Sequence, residues 1–184
     1  RQRQMCIRDR FMQMEDVYRI DQGIERYMTK TQKKTADFME GCMELGGLLG
    51  GWSESEIVEL KKYGHALGMA FQITDDIMDY RETTETTGKP VGNDLREGLL
   101  TYPLLSIVND DNKDRLLADI KALNNGGNEQ DIIDYVIAQG GIDNTLAVAD
   151  KYCKDALAAL EAIRDFPGKE FLVMAVENLA DRKV

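Results

Sequence analysis

The sequence predicts an all-α fold. Apolar residues recur at three- and four-residue steps along most of the chain, no run alternates with period two, and Gly and Asn pairs fall where helices would stop. A first long helix is marked by one stripe: Val17, Ile20, Ile24, Tyr27, Met28, Thr31, Thr35, Phe38, Met39, Cys42 and Leu45. Gly46-Gly47 and Gly50-Gly51 end it or admit a neighbouring backbone. Ser53 with Glu56 is a capping-box signature that starts a second helix, with Leu60, Tyr63, Leu67, Phe71, Thr74 and Met78 as its buried stripe. Gly64 and Gly68, four residues apart on that helix, would let another helix pack close. From Arg81 to Leu100 the period is lost, and residues 82–90 have loop chemistry. Shorter helices are expected over about 102–109, 113–123, 129–139, 143–164 and 168–182, with stops at residues 124–127 and at Gly140-Gly141. No sheet, no internal repeat and no long linker is read, so the helices are expected to form one unit.

Composition narrows the function. The chain has 184 residues, 43% of them hydrophobic, which is enough for a globular core. The formal net charge of -10 argues against a nucleic-acid partner, whose phosphates require a broad basic face. It leaves room for a small diphosphate bridged by metal ions. No apolar run approaches the roughly 18 residues of a membrane span, and no signal peptide is read. The three cysteines, Cys6, Cys42 and Cys153, are far apart and suit a reducing cytoplasm. His65 is the only histidine, so zinc chemistry built on several histidines and a Ser-His-Asp triad have little to work with. His65 itself is read as a packing or hydrogen-bonding residue and not as a ligand.

The strongest signal is Phe71-Gln72-Ile73-Thr74-Asp75-Asp76-Ile77-Met78-Asp79-Tyr80. On a helix Asp75 and Asp79 lie one turn apart on one face, with Asp76 about 100° round. Most acidic stretches are solvated helix faces. Here apolar residues flank the acids on nearly every side, and an unpaired carboxylate beside a core is costly. A hard dication such as Mg2+ would offset that cost and leave coordination positions for water and phosphate oxygens. Gln72 adds a neutral amide beside the acids. Lys89 lies on a Gly-rich loop able to swing onto a diphosphate as a point charge, and Lys34-Thr35 sits near the buried stripe of the first helix. Taken singly, both lysines fit ordinary solvated or snorkelling side chains.

Together these motifs resemble the trans-type polyprenyl diphosphate synthases, medium- and long-chain members above all. The likeness runs through Tyr63-Gly64 and residues 67–80, Gly88-Lys89-Pro90-Val91-Gly92-Asn93-Asp94-Leu95 and Thr101-Tyr102-Pro103-Leu104-Leu105. Tyr27 with Lys34-Thr35-Ala36, Gly46-Gly47, Phe11-Met12-Gln13, Gly140-Gly141-Ile142 and Arg182 extend it. The resemblance implies an isoprenoid-synthase-type helical bundle around a deep cavity. It implies condensation of isopentenyl diphosphate with an allylic diphosphate whose C–O bond ionises under the pull of Mg2+. It assigns Asp75 as main metal ligand, with Asp76 and Asp79 assisting largely through water. It assigns Lys34, Thr35, Gln72 and Lys89 to the allylic diphosphate, with Gln13 as a polar residue near the substrate. A homodimer, or a heterodimer with a small subunit, is the implied assembly.

Two departures qualify the resemblance. The family's first aspartate-rich motif is absent, since Asp110-Asp111 lies on the wrong side and lacks the pattern. Leu99 stands where many members carry lysine. Residues 11–184 therefore read as the C-terminal part of a synthase, inactive by itself, with apolar surface left for further helices to cover. Residues 1–10 are basic and lack a stripe, which fits a truncation point, a spurious joined segment, or an exposed start of the first helix. Two other readings stay open: a non-catalytic helical partner subunit, and a terpenoid cyclase on the same fold. Lys34-Thr35 and Gly88-Lys89 favour elongation over cyclisation.

Overall fold

The structure, a computed structural model, describes residues 16–81 and 92–181, and every regular element among them is helical. A short 3-10 turn, Ile20–Gln22, leads into α1 (Gly23–Thr31), a π-helical segment (Gln32–Ala36) and α2 (Asp37–Leu49). Then come α3 (Glu54–Arg81), the one-turn helices α4 (Asn93–Arg96) and α5 (Tyr102–Leu105), α6 (Lys113–Ala122), α7 (Glu129–Ala138), α8 (Gly141–Glu161) and α9 (Lys169–Asp181).

Several boundaries follow the sequence signals, and the exceptions have local causes. Ser53 Oγ accepts from Glu56 N at 3.4 Å while Ser53 N donates to Glu56 Oε2 at 3.1 Å, the reciprocal bonds of a capping box that open α3. Ser53 Oγ also donates to Glu56 Oε2 at 2.7 Å, and this bond together with the one from Ser53 N holds the Glu56 carboxyl below its usual range. The helix expected over 102–109 stops at Leu105. Beyond it the Asn109 and Asn112 side chains each accept the other's backbone N–H, at 2.8 and 3.1 Å, an arrangement that competes with helical pairing. Gly140, at φ 79°, is the stop expected there, whereas Gly141 already belongs to α8. A Cβ on Gly141 would lie 2.4 Å from the Pro103 carbonyl oxygen. No sequence signal marks the π segment, identified by the Asp37 N–H reaching back five residues to Gln32 O.

The described residues divide into two compact units. One gathers those within Arg1–Lys30 and Asp75–Thr145, the other those within Thr31–Thr74 and Leu146–Val184. All three divisions fall inside continuous helices, α1, α3 and α8, so no linker composition marks them.

In the unit around Thr31–Thr74, α3 supplies Leu60, Tyr63, Ala66 and Ala70 to a buried cluster. It is shared with Cys153, Ala156, Ala159, Leu160 and Ile163 and with Val176 and Leu179 of α9. Tyr63 Oη donates to the Leu172 carbonyl at 2.9 Å, and burial pushes its phenol pKa up to about 12. Trp52 packs edge-on against Phe166 and carries the Arg164 guanidinium 5.0 Å over its ring. The predicted α3 stripe holds at Leu60, Tyr63 and Thr74, but Leu67 and Met78 are half-buried and Phe71 is exposed; the buried face runs instead through Ala66, Met69, Ala70, Ile73 and Ile77. The expected open apolar surface is present: Phe38, Leu45, Leu48 and Leu49 of α2 are all exposed, Leu49 by 81%.

The contact between α2 and α3 is set by glycine. A Cβ on Gly68 would sit 2.6 Å from Ala36 Cα, and one on Gly64 would sit 2.7 Å from the Met39 carbonyl oxygen. Both obstacles are backbone, which cannot step aside as a side chain can.

In the other unit, Asp16 is 2% exposed and anchors the start of α1. Arg26 Nε donates to Asp16 Oδ1 at 2.8 Å, and Lys30 Nζ lies 3.1 Å from Oδ2. Burial alone would raise this carboxyl's pKa, but the bonds from Arg26 and Lys30 outweigh it and hold the pKa below the usual range. Tyr18 precedes α1 in a left-handed conformation, φ 59°, fixed by its N–H to Gly98 O at 2.8 Å.

Gly68→Ala should destabilise the chain by about 1–3 kcal/mol through overpacking, read as a lower denaturation midpoint, and an unchanged midpoint would contradict the close approach. Asp16→Asn should cost about 2 kcal/mol at pH 7, less than the roughly 3–5 kcal/mol of a fully buried broken pair because Arg26 and Lys30 keep part of their water. A depressed carboxyl pKa adds stability above its unfolded value, near about 3.9, and loses it as pH falls through the lower folded value. The wild type's advantage over Asp16→Asn should therefore fade below about pH 4 in denaturation curves.

Candidate functional site

The residues singled out by sequence that fall among the described ones lie on two segments, the π segment and α3. Lys34 and Thr35 fall inside the π segment, where the local widening of the helix alters the direction of side chains; such segments are frequent at functional positions. Thr35 Oγ1 donates to Gln72 Oε1 at 3.1 Å, and Gln72 is 7% exposed. This bond fixes the orientation of the Gln72 amide, with its nitrogen as the donor end. Lys34 is exposed.

The three acids on α3 have different environments. Asp75 is exposed, Asp76 is buried, and Asp79 is half-buried. Asp76 Oδ2 accepts from Tyr27 Oη at 2.5 Å, a short bond of the kind a carboxylate forms with a hydroxyl. Tyr27 is itself buried and packs edge-on against Tyr102 with ring centroids 5.6 Å apart. Asp79 accepts the backbone N–H groups of Asn93 and Asp94, each at 3.1 Å, and its own carbonyl accepts from Gly92 N at 3.0 Å. It thus satisfies two of the orphan donors at the start of α4. Burial raises the Asp79 carboxyl pKa more than these two bonds lower it, and the negative charges of Asp75 and Glu97 raise it further.

This arrangement fits a hard dication. All the donors are carboxylate oxygens, and like charges crowd one another at the end of a partly desolvated helix. Asp75 is the acid open to a first metal bond. Asp76 and Asp79 already hold protein partners, Tyr27 and the start of α4. Next to the acids, Tyr80 is fully buried and burial pushes its phenol upward, so it stays neutral.

Lys89, Gln13 and Arg182 lie outside the described residues. Sequence reasoning missed the hydroxyl donor to Asp76. The available signal was Tyr27 itself, an aromatic in the stripe whose polar tip needs a partner when buried.

Fold and helix order together define the all-helical isoprenoid synthase fold. The structure of heptaprenyl diphosphate synthase from Staphylococcus aureus matches 98% of this chain and 57% of its own, with a TM-score of 0.85 and 28% identity. The chain belongs to the Polyprenyl synthetase family, whose sequence profile matches residues 3–139. It is 33% identical over 151 residues to heptaprenyl diphosphate synthase component 2 of Geobacillus stearothermophilus, covering 82% of this chain and 47% of that protein. It is also 33% identical to octaprenyl diphosphate synthase of Escherichia coli, over 81% of this chain and 47% of that protein. The chain thus spans about half the length of the curated relatives it matches. A polyprenyl synthase from Caulobacter crescentus, solved with calcium and isoprenyl diphosphate, matches with a TM-score of 0.82 at 27% identity, over 98% of this chain and 56% of that one. No described helix is long and apolar enough to cross a membrane.

Removing the hydroxyl of Tyr27 should leave the buried Asp76 with one bond fewer. Tyr27→Phe is expected to cost about 1–3 kcal/mol in denaturant titrations. A double-mutant cycle with Asp76→Asn should show coupling, and additive losses would mean that the 2.5 Å bond contributes nothing.

Proposed function

We propose that this chain supplies the allylic-diphosphate half of a Mg2+-dependent prenyl chain-elongating transferase. The observation that carries this reading is the acid triplet: one carboxylate open and two held in place by Tyr27 and α4, on the same helix as a buried, oriented Gln72. Bound Mg2+ would supply Lewis-acid neutralisation of the diphosphate as it leaves. Asp75 would offer the direct ligand, with Asp76 and Asp79 held as fixed negative charge behind it. Gln72, oriented by Thr35, would donate to a phosphate oxygen or to the developing cation's counter-ion. Lys34 and Lys89 would neutralise phosphate charge through their ammonium groups. These contributions amount to placing charge before the C–O bond breaks.

The isopentenyl diphosphate site, the first aspartate-rich motif and the limit on product length would come from polypeptide beyond these residues. The Geobacillus relative is named as one component of its synthase. By extension we propose that this chain works in a homodimer or beside a smaller subunit.

Calorimetric titration with inorganic pyrophosphate and with farnesyl diphosphate tests the reading directly. Binding should require Mg2+, and Asp75→Ala should weaken it at least tenfold without changing the melting temperature measured in EDTA. Metal-independent binding, or equal affinity of Asp75→Ala, would refute it.

A further inference from the structure

We infer that the α2–α3 contact carries a second metal site, of mixed nitrogen and oxygen donors, for a transition-metal dication such as Zn2+. Its ligands are Asp37 and Glu40 of α2 and His65 of α3. One ligand atom from each lies within 4.8 Å of the others, and all three residues are half-buried. His65 Nδ1 is 3.6 Å from Glu40 Oε2. Metal–ligand bonds of about 2.0–2.2 Å bring donors to roughly 3–4 Å of one another, so small side-chain rotations close the set.

Three features raise this above a chance grouping. Asp37 and Glu40 are three apart on one helix and so share a face, with the imidazole arriving from the opposing helix. That opposing helix is held at fixed distance. Gly64, next to His65, meets the backbone at Met39 and Glu40, and Gly68 meets Ala36, next to Asp37. The ligands therefore stand on a rigid frame. The local field also already attracts cations: Lys61 Nζ lies 3.5 Å from Glu40 Oε1 and 3.0 Å from Glu44 Oε1. A bound dication would take Glu40 and leave Lys61 its partner Glu44. Glu40 and His65 border an open cleft of about 690 Å³ that also holds Lys62 and Asp155, so water has access to complete the coordination shell.

Imidazole with two carboxylates suits Zn2+ and similar borderline ions better than Mg2+, which favours oxygen alone. This site thus differs in donor chemistry from the acid triplet around Asp75, and its test does not depend on prenyl transfer. Bound there, the ion would cross-link α2 to α3 immediately after the π segment that carries Lys34 and Thr35.

The chain has one histidine, so the experiment is unambiguous. Zinc chloride is titrated into the full chain labelled with 15N-histidine. The imidazole nitrogen resonances should shift and saturate at one equivalent, and the melting temperature should rise relative to EDTA. Glu40→Gln and Asp37→Asn should each weaken Zn2+ binding at least tenfold while melting like the wild type in EDTA. An imidazole that does not respond to Zn2+, as expected if the ion went to the exposed thiol of Cys42, overturns the proposal. So does Zn2+ affinity unchanged in both carboxylate variants. The wild-type resonance alone decides the matter if either variant fails to fold.

Discussion

The approach of α2 to α3 through two missing side chains governs most of the Thr31–Thr74 unit. Backbone meets backbone at Gly64 and Gly68, and everything beside that seam inherits its spacing. The Lys61 bridge to Glu40 and Glu44 and the His65–Glu40 pair span the same two helices, and the Thr35–Gln72 bond joins the preceding π segment to α3. None is a strong interaction when taken alone, since half-exposed ion pairs contribute about 0–1 kcal/mol. Their value lies in being positioned by a contact that tolerates little adjustment.

In the other unit the governing problem is negative charge beside apolar packing. It is solved differently at each acid. Asp16 is neutralised by Arg26 and Lys30, Asp76 is satisfied by a phenol, and Asp79 is spent on the start of α4. Asp75 stands exposed at the surface. This gradient from satisfied to open, within five residues of one helix, separates a binding acid from its supports, and periodicity alone does not distinguish them.

Helix existence was legible because the signals were strong and local: the Ser53–Glu56 box and the Gly140 stop each map onto an observed element, whereas the stripe read as one long first helix runs through the 3-10 turn, α1, the π segment and α2. The π segment was not legible. Gln32–Ala36 has no composition that separates it from an α-helix, because its geometry comes from packing. The exposure of Phe38, Leu45 and Leu48 was foreseen only as a general consequence of incomplete cover, since a stripe states which face is apolar and not what lies against it. For the candidate site, residue types and helix register were readable from Gln72 to Asp79. The Tyr27 bond to Asp76 joins residues 49 apart in sequence, a distance no local pattern reports.

Asp79 ties two elements through one residue: it belongs to α3, and its carboxylate and carbonyl receive the N–H groups of Gly92, Asn93 and Asp94 at the start of α4. A single substitution there acts in two places at once. Replacing the carboxylate removes negative charge from the acid helix and leaves two backbone donors of α4 to seek water, so the charge of one element and the start of the other are inherited together.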